Sequence, residues 1–138
     1  MPMALKLQHK DTKFGVGDTV RVYQSISEGD KKRLQAFEGM VIAVRGTQAS
    51  KSFVVRRIGS SQVGIEKIFP LLAPVVDNVE VIREGVSGVR QAKLYYTRHV
   101  SKREVEKIYQ RKAKKDRAKL ASQKKAKKQV KKSTAKRK

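Results

Sequence analysis

The chain has 138 residues and no cysteine, and its 34 lysines and arginines against 12 aspartates and glutamates give a formal net charge of +22. Without cysteine it can form neither disulfides nor thiolate metal sites, which suits a reducing compartment. So large a charge repels itself unless a polyanion neutralises it, and it therefore favours a nucleic-acid partner.

The positive charge is concentrated at the C-terminal end. Residues 101–138 hold 18 lysines and arginines against 3 acids, or +15, which leaves +7 for residues 1–100. We therefore predict a short N-terminal segment (1–13), a folded body (14–100) and a basic C-terminal helix and tail (101–138). The body is long enough for one modest core, whereas the extension has too few apolar residues to build a second.

The N-terminal segment, "MPMALKLQHKDTK", has no apolar stretch long enough for a signal peptide. No apolar run elsewhere in the sequence approaches the length of a membrane span. We therefore expect a cytoplasmic protein with no membrane attachment.

The body consists of short β-rich runs separated by Gly, Ser, Asp and Asn, without a helical stripe between them. This pattern predicts a small all-β barrel or sandwich. The first run, "DTVRVYQSI", places Val20, Val22 and Ile26 on one face. Arg21 and Tyr23 fall on the opposite face.

The second run, "KKRLQAFEGMVIAVRG", breaks the alternation of apolar and polar residues. Two explanations stay open: the strand is buried on both faces, or it bulges near Gly39. We expect the cations Lys31, Lys32 and Arg33 to lie in a loop at the barrel rim. The core then begins at Leu34.

Four further runs are predicted as strands: "SFVVRRI", "VGIEKIF", "NVEVIR" and "VRQAKLYY". In the last, Leu94 and Tyr96 should face inward and Tyr95 outward. Between the second and third of these runs, "FPLLAPVV" contains Pro70 and Pro74 and cannot be the interior of a paired strand. It is predicted to be a connection that its leucines and valines hold against the body.

A helix is predicted to begin at Ser101, because Ser101 and Glu104 have the spacing of a capping box. Its apolar stripe is Val105, Ile108 and Tyr109. The stripe can dock the first turns on the body, but beyond Leu120 lysines dominate and we expect disorder in the free protein. Lys102 and Arg103 lie beside backbone donors that can bind phosphate, and the alternative of two solvated side chains stays open.

The sequence offers little for catalysis. His9 and His99 are the only histidines, and neither has a metal-ligand or triad-like partner nearby in the sequence. The glycine pairs lack the residues that follow them in phosphate-binding loops. We therefore expect a protein that is not an enzyme and has no cofactor and no metal site.

Lysine and arginine bind phosphates, and tyrosine rings can stack on unpaired bases, so cations interleaved with tyrosines are typical of RNA-binding proteins. The candidate RNA-binding residues are Lys31, Lys32, Arg33, Arg45, Lys51, Arg56, Arg57, Lys67, Arg90, Lys93, Tyr95, Arg98, Lys102, Arg103, Arg111, Lys112, Lys114 and Lys115.

The motifs of one known family occur in order from Phe14 to Arg98, as "FGVGDTVRV", "FEGMVIAVRG", "FVVRRI", "VGIEKIFPLLAPVVDNVEV" and "AKLYYTR". In these the chain resembles the bacterial large-subunit ribosomal protein L-nineteen family. The resemblance implies an SH3-like β-barrel that binds large-subunit ribosomal RNA at the interface between subunits. It implies bridges to small-subunit ribosomal RNA, support of the aminoacyl-tRNA region, and neighbours of the L-three and L-fourteen families. We expect no homo-oligomer.

The sequence departs from this family at three places. The N-terminal segment is shorter than the helix that the family usually carries. In "REGVSGVRQ", Glu84 stands where the family commonly has a cation, so a phosphate contact there is lost or moved to Arg90. The lysine-rich segment after Tyr109 extends past the family's usual end.

Two function classes fit the composition. One is a structural, non-catalytic ribosomal protein. The other is a histone-like DNA-compacting protein, because "KKAKKQVKKSTAKRK" is similar to the tails of linker histones. The motifs of the body favour the ribosomal protein.

Overall fold

A computed structural model describes residues 6–135. Its strands and helix are β1 Lys6–His9, β2 Thr12–Gly15, β3 Thr19–Glu28, β4 Lys31–Arg45, β5 Ser52–Ile58, β6 Gly64–Pro70, β7 Val76–Arg83 and α1 Lys102–Ala135. Strands β1 and β2 form a hairpin, and the other five form one antiparallel sheet in the order β6-β5-β4-β3-β7. The predictions of a mainly β body and a C-terminal helix are confirmed.

Strands β3 and β4 extend beyond the core as a hairpin arm, which comprises residues 24–35. Lys31, Lys32 and Arg33 pair with β3 in this arm instead of lying in a loop, so that prediction is wrong. Leu34 is 62% exposed, and the first buried residue of β4 is Phe37. Strand β4 therefore begins six residues before its first buried residue, because pairing with β3 defines the strand there.

The central part of β4 is buried on both faces from Gly39 to Val44, which confirms the first explanation of its irregular pattern. The register with β5 shifts at Ile42, so the bulge lies three residues beyond Gly39. A Cβ atom at Gly39 would lie 2.4 Å from the Arg56 carbonyl oxygen. Glycine is needed here for the close approach of β5 and not for the bulge.

Four phenylalanines form the centre of the core. The Phe14 ring meets the Phe53 ring edge-on at 5.0 Å, and the Phe53 and Phe69 rings stack at 5.4 Å. The Phe37 and Phe69 rings lie 6.0 Å apart. Because Phe14 belongs to β2 and the others to the large sheet, these contacts hold the small hairpin on the sheet.

Asp18, in the turn between β2 and β3, is buried and only 3% exposed. Its carboxylate accepts hydrogen bonds from three backbone N–H groups, those of Gly15 (2.9 Å), Gly85 (2.6 Å) and Val86 (3.0 Å). Two of these donors lie on the loop that follows β7. This single carboxylate therefore links the start of the sheet to the loop on which the C-terminal helix packs.

The segment "VRQAKLYY" is not a strand, contrary to the prediction, and "YYTR" forms a 3₁₀ turn at Tyr95–Arg98. Leu94 is fully buried as predicted, and its N–H donates to the Ile42 carbonyl at 2.7 Å. Thr97 is also buried and donates its hydroxyl to the Leu94 carbonyl. Among the described residues, this segment is joined to the sheet by one backbone hydrogen bond and not by the ladder of bonds that a strand would make.

The connection "FPLLAPVV" is divided between two elements and the turn that joins them. Pro70 ends β6, and Val76 begins β7. Leu71 and Val76 are buried, while Leu72 and Val75 are exposed. Only half of the apolar residues predicted to hold this connection against the body do so.

The helix α1 begins at Lys102 with Ile108 and Tyr109 buried against the body. Glu104 pairs with Lys107 instead of turning back to cap the first turn. A Cβ atom at Gly88 would lie 1.9 Å from the Ile108 carbonyl oxygen, so only glycine lets the helix dock this closely.

The helix continues to Ala135, and the prediction of disorder beyond Leu120 is wrong for the described residues. Alanine, lysine and glutamine have high intrinsic helix propensity, which the charge density did not override. Within residues 6–135 no helix is apolar over a length that could cross a membrane.

Candidate nucleic-acid interface

Two surface grooves contain most of the basic side chains that the fold brings together. The strand groove is lined by the cations Lys6, Arg45, Lys51 and Lys93. The helix groove lies between α1 and the β1–β2 hairpin, and its cations are Lys6, Lys13, Lys112, Lys115 and Lys119. Lys6 lines both grooves, so their positive surfaces meet at this residue.

The strand groove has no carboxylate among the described side chains of its wall. Its one arginine, Arg45, is held in place because both Nε (3.1 Å) and Nη2 (2.6 Å) donate to the Tyr95 hydroxyl. The sequence predicted Arg45, Lys51 and Lys93 as separate contacts, and the structure brings all three to one concave surface. A site with four cations and no acid can bind two or more phosphates.

Tyr95 is packed between cations and is not a free stacking surface. The guanidinium carbons of Arg98 and Arg45 lie 4.7 Å and 5.8 Å from its ring centre. The ring is half-buried against the core. It therefore orients the two arginines.

The helix groove includes one ion pair at its rim. Lys112 Nζ lies 2.8 Å from a carboxylate oxygen of Glu84, whose side chain is 70% exposed. The hydrogen bond from Lys112 lowers the pKa of the Glu84 carboxyl below its usual value. Lys115 donates to the Ser87 carbonyl, so this lysine is anchored on the loop. Glu84 thus holds a lysine of the helix in place.

Arg56 belongs to the structure of the sheet. Its side chain is 17% exposed and its Nη1 lies 2.9 Å from Glu66. Arg98 donates to the same carboxylate through Nε (2.8 Å) and Nη2 (2.7 Å). These bonds, chiefly those from Arg98, lower the pKa of the Glu66 carboxyl. Because Arg56 is enclosed and paired, a substitution there tests folding as much as binding.

Two cations cover the ring of Phe37. Arg57 lies 5.5 Å and Lys67 4.8 Å from the ring centre. Lys67 also donates to Gln24 at 3.3 Å. Of these two candidates Arg57 is the more exposed, so it is the better placed to meet a phosphate.

The arm carries Lys31, Lys32 and Arg33 away from both grooves. Arg33 lies 2.8 Å from Glu28 across the hairpin. Lys31 and Lys32 are exposed and make no ion pair with any side chain that the structure describes. They lie beside the turn of the arm, at Gly29 and Asp30.

The remaining candidates lie around the helix. Arg90 and Arg111 line a depression of mixed charge with Glu104 and Lys107, and Arg111 Nε donates to the Gly88 carbonyl at 2.8 Å. The other three, exposed on the helix surface, are Lys102, Arg103 and Lys114.

Sequence reasoning missed Lys6, Lys13 and Lys119. The signal for Lys6 is the alternation in "KLQH", which buries Leu7 and His9 and exposes Lys6. Lys119 follows Lys112 and Lys115 at helical spacing. The described residues include no cluster of His, Asp and Glu that could hold a metal ion.

Known proteins resemble this chain over most of its length. The family profile described as "Ribosomal protein L19" matches residues 3–111. "Large ribosomal subunit protein bL19" of Thermosipho africanus is 55% identical over 96 residues, which are 69% of this chain and 82% of that protein. The proteins of the same name from Kosmotoga olearia and Borreliella burgdorferi are 53% and 50% identical, over 63% and 69% of this chain and 74% and 76% of theirs.

Proposed function

The chain belongs to the ribosomal protein L19 family and is a structural constituent of the large ribosomal subunit, and from this premise we propose that it binds ribosomal RNA through its two basic grooves. The observation that carries the proposal is the strand groove, where four cations meet without an acid among the described residues. The family is structural, so the contribution of the chain is to neutralise and hold RNA segments in the cytoplasmic ribosome, not to catalyse a reaction.

The strand groove suits this role because the fold holds the backbone of its residues, and the side chain of Arg45, in place before RNA arrives. Arg45 is fixed by the Tyr95 hydroxyl, Lys6 begins strand β1, and Lys51 directly precedes β5. Side chains that are already ordered lose less conformational entropy on binding than those of a free tail. The grooves would therefore determine where the RNA lies, while the helix beyond Leu120 adds long-range attraction.

A further part of the proposal is that the chain lies at the interface between subunits, supports the aminoacyl-tRNA region, and contacts ribosomal proteins of the L-three and L-fourteen families. We assign the contact with small-subunit ribosomal RNA to the hairpin arm. The arm projects beyond the core, and Lys31 and Lys32 near its turn belong to neither groove. They have no carboxylate partner among the described residues, so they can neutralise phosphates of a second RNA.

The body is further proposed to be an SH3-like barrel, with residues 14–100 as the folded unit and 101–138 as the basic extension. Three features support this architecture. The central strand β4 is buried on both faces from Gly39 to Val44, its register with β5 shifts at Ile42, and the sheet packs on one phenylalanine cluster. Each is typical of a small closed sheet.

Sucrose-gradient fractionation of a bacterial lysate that contains the tagged chain tests the proposal. We expect the chain to sediment with large subunits and to be released by ribonuclease. The alternative, a histone-like DNA-compacting protein, predicts sedimentation with the nucleoid and release by deoxyribonuclease. That second result would overturn the ribosomal function.

The assignment of the arm has its own test. The chain has no cysteine, so a Lys32→Cys variant carries a single thiol for a photocrosslinker. We expect crosslinks to small-subunit RNA in joined ribosomes and none in isolated large subunits. Crosslinks to large-subunit RNA alone, in both preparations, would contradict the assignment.

A further inference from the structure

We propose that the two grooves form one continuous track for the sugar-phosphate backbone of double-helical RNA, with Lys6 as the residue that joins them. This inference rests on the proposed function, because it names the kind of RNA that the grooves bind. Its first basis is the shared position of Lys6, which lines the strand groove and the helix groove.

The second basis is the chemistry of the cations. Of the eight basic residues along the track, seven are lysines and one is Arg45. A lysine ammonium group is a compact point charge that binds phosphate but offers no plane for stacking on a base. The guanidinium of Arg45 lies against Tyr95, to whose hydroxyl Nε and Nη2 donate, and its remaining N–H donors can meet a phosphate.

The third basis is that none of the chain's phenylalanine and tyrosine side chains is exposed. Its four phenylalanines are buried in the core. Tyr109 is buried, and Tyr23, Tyr95 and Tyr96 are half-buried. Proteins that bind unpaired strands use exposed aromatic rings, each worth about 1–3 kcal/mol per stacked base. No phenylalanine or tyrosine of this chain is exposed enough to form such a platform.

The fourth basis is that, within residues 6–135, the grooves lack the amide side chains that pair with the edge of adenine. Among the described side chains that line the two grooves there is no asparagine or glutamine. Recognition would therefore depend on the spacing of phosphates and not on sequence. Double-helical RNA presents its phosphates in a fixed array with its bases hidden, and it is recognised mainly by shape and backbone contacts.

Two carboxylates line the helix groove, but Asp18 is buried and accepts three backbone hydrogen bonds, so only Glu84 pairs with a cation there. Glu84 pairs with Lys112 on the helix side of the groove. An arriving phosphate would compete with Glu84 for Lys112, while Lys6, Lys13 and Lys119 make no ion pair with a described carboxylate. The track therefore has free cations on both sides of Lys6.

The test compares the affinity of the full chain for a blunt-ended RNA duplex and for an unpaired strand with the same number of phosphates. Fluorescence anisotropy over a range of salt concentrations measures both. The slope of log affinity against log salt concentration is about 0.9 per phosphate contact for a duplex and about 0.7 for an unpaired strand. With about six contacts, this difference predicts about tenfold tighter binding to the duplex at about 0.15 M salt. Two duplexes of unrelated sequence should bind equally.

The Lys6→Ala variant tests the junction, and Lys107→Ala is its matched control. Both remove one exposed lysine, but Lys107 lies in the depression of mixed charge and pairs with Glu104. Loss of one phosphate contact predicts about fivefold weaker duplex binding at about 0.15 M salt and a slope smaller by about 0.9 for Lys6→Ala. The control should change neither quantity.

Either of two results would overturn the inference: an unpaired strand that binds as tightly as the duplex, or equal losses for Lys6→Ala and Lys107→Ala. If either occurs while the chain still sediments with large subunits, the proposed function stands and only the track is wrong. Failure to sediment with large subunits counts against the proposed function itself.

Discussion

Replacement of Asp18 by alanine should destabilise the fold more than any other single loss of an acid. The carboxylate accepts three backbone hydrogen bonds, and the donors at Gly15 and Gly85 are buried with it. A buried donor left without its partner costs about 1–3 kcal/mol. Two such donors, together with the half-buried one at Val86, predict a loss of about 3–5 kcal/mol in the free energy of unfolding.

Urea unfolding followed by circular dichroism measures this loss. Asp77→Ala is the matched control, because Asp77 is half-exposed and its only ion pair with a described side chain is a 3.7 Å contact with Lys10. Such a surface pair is worth about 0–1 kcal/mol. The Asp18→Asn variant keeps one acceptor oxygen and should lie between the two. An Asp18→Ala protein within about 1 kcal/mol of the unsubstituted chain would refute the role of this carboxylate as a tie between sheet and loop.

Three further predictions concern the docking of the helix, the Glu66 carboxylate and the lysine-rich end of the chain. Gly88→Ala should separate α1 from the body and lower the urea midpoint of unfolding, because its Cβ would lie 1.9 Å from a carbonyl oxygen of the helix. Gly59→Ala is the control: its Cβ meets only ordinary contacts at 3.4 Å, so the midpoint should not change. The lowered pKa of Glu66 predicts that stability is constant well above pH 4.5 and falls as the pH drops through and below that value, and Glu66→Gln should flatten this decline in urea titrations. Deletion of residues 120–138 should make the affinity for RNA less dependent on salt. The slope of log affinity against log salt concentration should fall by several units, at about 0.7–0.9 per lost phosphate contact, while the β circular-dichroism signal stays intact. An unchanged slope would show that these lysines do not contact phosphates.

The spacing of apolar residues along the sequence correctly predicted one strand and the docking face of the helix. The alternation in "DTVRVYQSI" identified β3, with Val20 and Val22 buried as expected. The apolar stripe of the helix correctly identified Ile108 and Tyr109 as docking residues. The family motifs, read from the body alone, led to the family that the comparisons show.

Long-range contacts decided the rest. Lys31 to Arg33 become strand because β3 continues opposite them, and no property of those three residues indicates this. "VRQAKLYY" alternates like a strand, yet its single backbone bond to Ile42 and the buried Thr97 fold it into a turn. The register that shifts the bulge to Ile42 depends on β5, which lies ten residues further along the chain.

The grooves could not be predicted because their residues come from distant parts of the chain. The strand groove joins four cations from separate parts of the chain. Lys6 lies on β1 and Arg45 on β4, Lys51 directly precedes β5, and Lys93 lies before the 3₁₀ turn. Net charge indicated a polyanion partner, but it could not separate the cations that pair within the protein, such as Arg56, from those that remain available.

The central claim is that the strand groove holds the chain on the large subunit. The most direct test is a competition between the unsubstituted chain and a double variant with Lys51→Ala and Lys93→Ala. The measured quantity is the share of large subunits that carries each chain after sucrose-gradient sedimentation. Lys10→Ala combined with Lys107→Ala removes the same charge from outside both grooves and is the matched control. Two lost phosphate contacts predict about 30-fold weaker competition at about 0.15 M salt for the groove variant, and no change for the control. Equal occupancy by the two double variants would contradict the claim.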